Sequence, residues 1–303
     1  MNPFERSWHL FKSSLMVIIQ NKRLLIFPIF ISLATIVILL FFVAPALLLP
    51  NDYSYFTAAH WKTLVNTFIT KTGSGPHQLS FSPVALAYFA FLYLVSMFTA
   101  TFFNVAFYNE ILAALNGEEV SLGRGLRFAC TRWKAILMWT AFAGLVGLII
   151  KCIERRSGLI GGIIARVIGV AWSIASVFVI PVIVRDEESA NPFVTLRKSA
   201  QILTQTWGES LIGYIGIGVI NTIVVIGSGL TLAITIGFTT KLHHPLLVVL
   251  EGGVWLVFMM CWGYLMNVAN LVYKGALFLY AAEGTVSEPY DQDLLDSAWK
   301  FKS

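Results

Sequence analysis

The sequence predicts an all-α integral membrane protein with six transmembrane helices in three hairpins, each preceded by a cytosolic amphipathic helix at the membrane surface. Of the 303 residues, 57% are hydrophobic and only 12% are charged, about half the charged fraction of an average soluble domain. Six stretches are apolar enough to cross a bilayer. Between some of them lie basic segments whose apolar residues recur at helical spacing. The composition excludes a water-soluble globule, a disordered chain and a disulfide-rich secreted scaffold.

The six apolar stretches follow one another along the chain. They cover residues 24–49, 81–109, 135–150, 157–184, 210–240 and 252–273, the last continuing to 282. A helix of about 20 mostly apolar residues is enough to cross the hydrocarbon layer. Strands of a membrane barrel are excluded, because these runs are far longer than such strands and show no alternation.

The distribution of Lys and Arg predicts the orientation. If each stretch crosses once, 14 of the 21 basic residues fall on the side of the N-terminus. Because cytoplasmic loops carry an excess of Lys and Arg, we expect both termini in the cytoplasm, with the protein in the cytoplasmic membrane of a prokaryote. The hairpin at 151–156 departs from this pattern, since it is basic on the opposite side.

Three segments on the predicted cytosolic side, 4–15, 122–133 and 193–207, have apolar residues at helical spacing and basic residues on other faces. Asn191-Pro192 is typical of a helix start, an N-cap residue followed by proline in the first turn. Such helices lie at the membrane surface with their basic face towards anionic headgroups. The candidate lipid-binding residues are therefore Arg124, Arg127, Arg197 and Lys198.

The order of these elements predicts an internal repeat within a single transmembrane domain, 1–303. Each unit has one surface helix and two spans, which divides the chain into pseudo-repeats 1–116, 117–188 and 189–303. Short sequence matches follow the same order, since Asn104-Val-Ala in the second span recurs as Asn267-Val-Ala in the sixth.

Several segments resemble an uncharacterised family of prokaryotic six-helix membrane proteins. The resemblance rests on Arg6-Ser-Trp-His-Leu-Phe-Lys-Ser-Ser, Asn21-Lys-Arg-Leu-Leu-Ile-Phe-Pro28, Ile153-Glu-Arg-Arg-Ser-Gly-Leu159 and Pro181-Val-Ile-Val184. More distantly, Thr195-Leu-Arg-Lys-Ser-Ala-Gln-Ile-Leu203 is similar to the membrane domain that accompanies some glycerophosphodiester phosphodiesterases. Neither resemblance implies a catalytic residue, because the phosphodiesterase chemistry resides in a separate soluble domain.

Polar residues within the predicted spans are further candidates. Arg166 lies about 13 Å into the fourth span, at 1.5 Å per residue. A charge at that depth either faces the bundle interior as a functional group, or it extends outward or pairs with Glu154 or another carboxylate. The sixth span has a polar face, and the second span carries a similar polar residue. These residues either line a polar pathway or form amide contacts between helices. These residues are Asn104, Asn267, Asn270 and Lys274.

The sequence favours a non-enzymatic function. It contains no phosphate-binding loop, no HExxH and no GxSxG motif, and we expect no cofactor, no metal site and no nucleic-acid partner. The leading hypothesis is a scaffold or accessory subunit that binds anionic lipid, a protein partner or a second copy of itself through its basic amphipathic helices. The alternative is a transporter or channel for a small anionic or amphiphilic solute, with Arg166 and the face of the sixth span lining the path.

Overall fold

The computed structural model describes residues 3–48, 51–71, 79–81, 83–156, 158–186, 190–205, 210–241 and 245–290. These residues are almost entirely helical, with one short antiparallel strand pair. The α-helices are α1 (Pro3–Gln20), α2 (Ile26–Leu47), α3 (Ala58–Phe68), α4 (Pro83–Leu115), α5 (Leu122–Thr131), α6 (Trp133–Arg156), α7 (Gly158–Ala175), α8 (Val179–Arg185), α9 (Pro192–Gln205), α10 (Ser210–Lys241) and α11 (Pro245–Glu283). A 3-10 turn over Lys22–Leu25 joins α1 to α2.

Six helical stretches are long and apolar enough to cross a membrane, which confirms the predicted number. They are Lys22–Ala44, Ala85–Leu115, Trp133–Glu154, Gly161–Arg185, Gly218–Lys241 and Pro245–Glu283. Helices of this length and composition characterise a multi-pass membrane protein, because every backbone polar group in lipid must be satisfied within the helix.

The fourth span corresponds to the apolar stretch predicted at 157–184, but its helix is interrupted. Its backbone leaves the helical path at 176–178, between α7 and α8. Ser199 of α9 occupies the break, since its hydroxyl donates to the Ala175 carbonyl at 2.6 Å and accepts from the Phe178 N–H at 3.0 Å. Because a buried backbone group without a partner is costly, this serine satisfies two groups that the break would otherwise leave unpaired.

The buried core lies at one end of the bundle, which we call the packed end. It consists of the last turns of α4 and α11, together with α8 and the inner faces of α1, α5 and α9. Its largest fully buried side chains include Phe27, Phe107, Phe178, Ile183 and Tyr273. At the opposite end, the far end, the helices expose large apolar side chains such as those on α10 and the first half of α11, as expected for surfaces that face lipid.

The helix α11 is much longer than a single membrane crossing requires. With 39 residues, α11 is about 58 Å long at 1.5 Å per residue, roughly twice the thickness of the hydrocarbon layer. The buried residues of α11 fall between Met266 and Tyr280, in its last part. The first part of α11 is therefore long enough to span a membrane without the part that contributes to the packed end.

Three short helices surround the packed end. Helix α1 lies against α10 and α11. Helix α5 lies against α4, and helix α9 lies against α6, α7 and α8. Each precedes a pair of long helices in the chain, as a threefold repeat requires, although the repeat itself stays a prediction. The predicted start of α9 is confirmed, because the helix begins at Pro192 and the Asn191 side chain accepts from the Phe193 N–H at 3.0 Å. The last residues of the third predicted segment, 206–207, lie outside the described residues.

The segment between the first two spans contains α3 and the strand pair. Strands β1 (Ile69–Lys71) and β2 (Leu79–Phe81) pair antiparallel, and the sequence analysis did not predict them. His60 is fully buried at the start of α3, with its Nδ1 2.7 Å from Asn51 Oδ1. Because these elements lie at the far end, they do not contribute to the packed end.

Candidate functional site

The packed end contains a buried ion pair that joins α4 to α5. Glu110 has no solvent exposure, and its two carboxylate oxygens accept from Nε and Nη2 of Arg124, each at 2.9 Å. The same carboxylate accepts from the Ser121 backbone N–H at 2.7 Å and from Asn109 Nδ2 at 2.9 Å. Glu110 therefore has four donors, and this explains how a carboxylate is accommodated at a fully buried position.

A close approach of the two helices makes this pair possible. Gly125 of α5 faces α4, and a methyl group at this position would lie 2.8 Å from the Ala106 carbonyl oxygen and 2.9 Å from Glu110 Cγ. Only glycine fits at this distance. The absence of a side chain at Gly125 thus brings the backbone of α5 close enough for Arg124 to reach Glu110 in bidentate fashion.

Two predicted lipid-binding residues already have acidic partners. Arg124 binds Glu118 as well as Glu110, with Nη1 2.9 Å from Glu118 Oε2, and its hydrogen bond with Glu110 raises the pKa of the guanidinium. Lys198 forms an ion pair with Asp186. These contacts assign both residues a role within the protein, and their lipid contacts stay a prediction.

The other two, Arg127 and Arg197, are exposed on α5 and α9. In the chain, Arg127 shortly precedes a group of basic and aromatic side chains where α5 meets α6. The Arg132 guanidinium carbon lies 5.5 Å from the centre of the Phe128 ring, and Lys134 Nζ lies 5.8 Å from the centre of the Trp133 ring. We call Arg127, Arg132, Trp133 and Lys134 the basic turn.

The basic turn lies at the boundary of a candidate span. Trp133 is the first residue of the third span and is 47% exposed. Tryptophan is enriched at the level of the lipid headgroups, because its ring is apolar and its N–H is polar. The exposure of Trp133 at the start of a candidate span is typical of this kind of position.

Arg166 is exposed on α7. It adjoins the exposed Val167, whereas the buried side of this helix carries Gly161 and Ala165. This position corresponds to the outward-facing alternative of the sequence analysis. The helix of Arg166, α7, packs extensively against α6 and α9. The helix that carries the polar face, α11, packs extensively against α1, α4, α9 and α10. Extensive packing therefore does not join Arg166 to the polar face of α11.

The amide residues of the second and sixth spans lie at the same level. Helices α4 and α11 run in the same direction and meet at Gly275, where a methyl group would lie 2.8 Å from Ile111 Cγ2. Asn104 and Asn267 each precede this contact by about two turns. Asn104 is half-buried and Asn267 is exposed, while Asn270 and Lys274 are half-buried further along α11. Asn104 and Asn267 are thus close in depth, whereas Lys274 lies about two turns further along α11, and the four residues differ in exposure.

Comparison with known families identifies the chain. The model of a family of unknown function, DUF6159, matches residues 84–288, which is more than half of the sequence. The chain belongs to DUF6159. This match supports the resemblance to an uncharacterised family, but it provides no link to the membrane domain of glycerophosphodiester phosphodiesterases. No curated protein and no solved structure matches the chain.

The DUF6159 match includes two groups that the sequence analysis missed, Glu110 and Ser199. Glu110 ends the second apolar stretch, so the sequence analysis treated it only as a boundary. The sequence contained one signal for an ion pair. Glu110 lies about one turn before the end of a helix, and an arginine follows 14 residues later. Ser199 lies in an amphipathic segment, and no local pattern distinguishes a serine that fills a helix break from one that faces solvent.

Beyond the match, the segment after α11 is bound to α1. Tyr290 is buried, and its hydroxyl lies 2.8 Å from the Ser14 hydroxyl. Burial raises the pKa of Tyr290, and the hydrogen bond with Ser14 opposes part of that shift. Among the described residues, no group of three or more His, Cys, Asp or Glu side chains is placed to hold a metal ion.

Proposed function

We propose that this DUF6159 protein is a non-enzymatic scaffold or accessory subunit that holds anionic phospholipid at its packed end. The basic turn is the principal contact and the exposed Arg197 a second one. One observation supports the proposal above all others: Lys134 lies over the ring of the exposed Trp133, the first residue of a span, and Arg132 and Arg127 lie on the same short segment.

The physical basis is the combination of charge and depth. Each Lys or Arg near an anionic membrane surface contributes about 1 kcal/mol of binding. Arg132 and Lys134 lie over aromatic rings, which orients both cations on the same short segment as Arg127. An anionic headgroup at this level would meet three positive charges, and its acyl chains would lie along the apolar start of α6.

The test is a titration of phosphatidylglycerol onto the detergent-purified protein, followed by native mass spectrometry. Removing three charges at about 1 kcal/mol each should weaken binding on the order of 100-fold. The test variant combines Arg127→Gln, Arg132→Gln and Lys134→Gln.

The matched control removes three exposed charges from the far end. It combines Lys62→Gln, Lys151→Gln and Lys241→Gln, all on exposed side chains. We expect this variant to bind phosphatidylglycerol as the wild type does. Equal losses in the two variants would show that binding follows net charge alone and would contradict the proposal.

A transporter for a small anionic or amphiphilic solute is the second candidate, and the break in the fourth span favours it. Interrupted membrane helices line the substrate sites of many transporters, and here the interruption at 176–178 lies beside the packed core. Flux of anionic solutes into proteoliposomes tests this candidate. An absence of flux, or flux that is the same in Arg166→Ala, would contradict the version in which Arg166 lines the path.

A further inference from the structure

A separate cleft of about 330 Å³ lies at the packed end, between α8, α9 and α11. Its floor is apolar, formed by Val182, Ile202 and Phe278. Because α8 ends the fourth candidate span at Arg185, the cleft lies where that span leaves the hydrocarbon. Its floor is therefore accessible to the upper part of an acyl chain and its edge to a headgroup.

The edge of the cleft alternates in charge. Arg185 forms an ion pair with Glu283, with Nε 2.9 Å from Oε1, and Lys198 forms one with Asp186. All four side chains are partly exposed, so a ligand can reach them from water. Arg185, Lys198 and Asp186 line the edge, and Glu283 lies beside it through its pairing with Arg185. The described residues at and beside the edge thus comprise two cations and two carboxylates, with no net charge among them.

This balance distinguishes between classes of lipid. A purely anionic headgroup would be attracted by Arg185 and Lys198 but repelled by the two carboxylates at similar distance. A zwitterionic headgroup complements both signs. A primary ammonium also has N–H groups that can donate to the carboxylates, whereas a trimethylammonium has none, and hydrogen bonds to charged groups are the stronger ones.

We propose that this cleft binds the phosphoethanolamine headgroup of a zwitterionic phospholipid. The phosphate lies against Arg185 and Lys198, and the ammonium donates to Asp186 and Glu283. The glycerol and the first methylene groups lie on the apolar floor. This site differs from the basic turn in position and in ligand, and it does not depend on the function proposed above.

The test compares three lipids on the detergent-purified protein by native mass spectrometry. Phosphatidylethanolamine should bind at least about tenfold more tightly than phosphatidylcholine, which corresponds to one hydrogen bond to a charged group. It should also bind more tightly than phosphatidylglycerol at this site. Equal binding of the ethanolamine and choline lipids would overturn the proposal, since they share one phosphate and one positive charge.

Two variants change the charge of the edge. Asp186→Asn and Glu283→Gln each leave a net positive edge, so each should lower the preference for phosphatidylethanolamine over phosphatidylglycerol. Glu119→Gln, an exposed carboxylate elsewhere at the packed end, should leave it unchanged. A preference unaltered in Asp186→Asn and in Glu283→Gln would refute the assignment of the ammonium to these carboxylates.

The two lipid proposals can be tested and refuted independently of each other. The variant that neutralises the basic turn should lose phosphatidylglycerol and keep its preference for phosphatidylethanolamine over phosphatidylcholine. Loss of that preference in the basic-turn variant, with correct folding confirmed by its melting temperature, would contradict the cleft between α8, α9 and α11 as a separate site.

Discussion

Replacing Glu110 with Gln should destabilise the packed end far more than replacing Glu118 with Gln, although both carboxylates bind the same guanidinium. The contact distances are equal, 2.9 Å in each pair. The two carboxylates differ in burial, because the side chain of Glu110 has 0% exposure and that of Glu118 has 57%. They also differ in hydrogen bonding, because Glu110 accepts from four donors whereas Arg124 reaches Glu118 through Nη1 alone. The comparison therefore measures burial together with the hydrogen bonds that accompany it.

The magnitudes follow from this difference. Breaking a buried ion pair by removing one partner costs about 3–5 kcal/mol, and the 41% exposure of Arg124 lets water recover part of that. We therefore expect a loss of about 2–3 kcal/mol for Glu110→Gln. An exposed ion pair contributes about 0–1 kcal/mol, which is the loss expected for Glu118→Gln.

Equilibrium unfolding in mixed micelles measures the free energy of unfolding of each variant. The Ser121 amide donates to Glu110, so its hydrogen-exchange rate measures the local stability of this contact. Arg124→Gln should cost at least as much as Glu110→Gln, because it leaves the buried carboxylate without its cation. The double variant should cost less than the sum of the two. Equal losses for Glu110→Gln and Glu118→Gln would refute the reasoning from burial.

Three further predictions concern the contacts around the packed end. Gly275→Ala should lower the free energy of unfolding by about 1–3 kcal/mol, because the added methyl group overpacks against α4. Gly263→Ala has open space around it and should be neutral or slightly stabilising. Thermal unfolding of both variants tests this difference. Ser199→Ala should lower stability by about 1–3 kcal/mol by leaving two backbone groups unpaired, and unchanged exchange of the Phe178 amide would contradict this. Because its folded pKa is raised, Tyr290 stabilises the fold fully below about pH 10 and loses this contribution as pH rises further; Tyr290→Phe should reduce the slope of stability against pH in that range.

The six spans could be predicted because their cause is local. A stretch of about 20 apolar residues in lipid must satisfy its own backbone hydrogen bonds, and helix is the conformation that does so within one segment. The start of α9 could be predicted for the same reason, since the Asn191 cap acts within two residues. The span predicted over 157–184 is confirmed as a candidate span. The interruption of its helix at 176–178 could not be predicted, because the groups that it leaves unpaired bind a hydroxyl that α9 supplies.

The candidate site was predicted less completely, because charge in a sequence does not reveal its partner. Arg124 and Arg127 are three residues apart on one basic segment, yet Arg124 binds a buried carboxylate and Arg127 is exposed. The difference arises from the fit of Gly125 against α4, which no spacing rule describes.

The sequence by itself determined the class of the protein and the number of its spans, since both depend on the hydrophobicity of continuous segments. The tertiary structure decided where the core lies, which cations are paired and where the fourth span is interrupted. These features depend on helices that meet from distant parts of the chain, and their contacts are set by the close packing of particular side chains such as Gly125, Ser199 and Gly275.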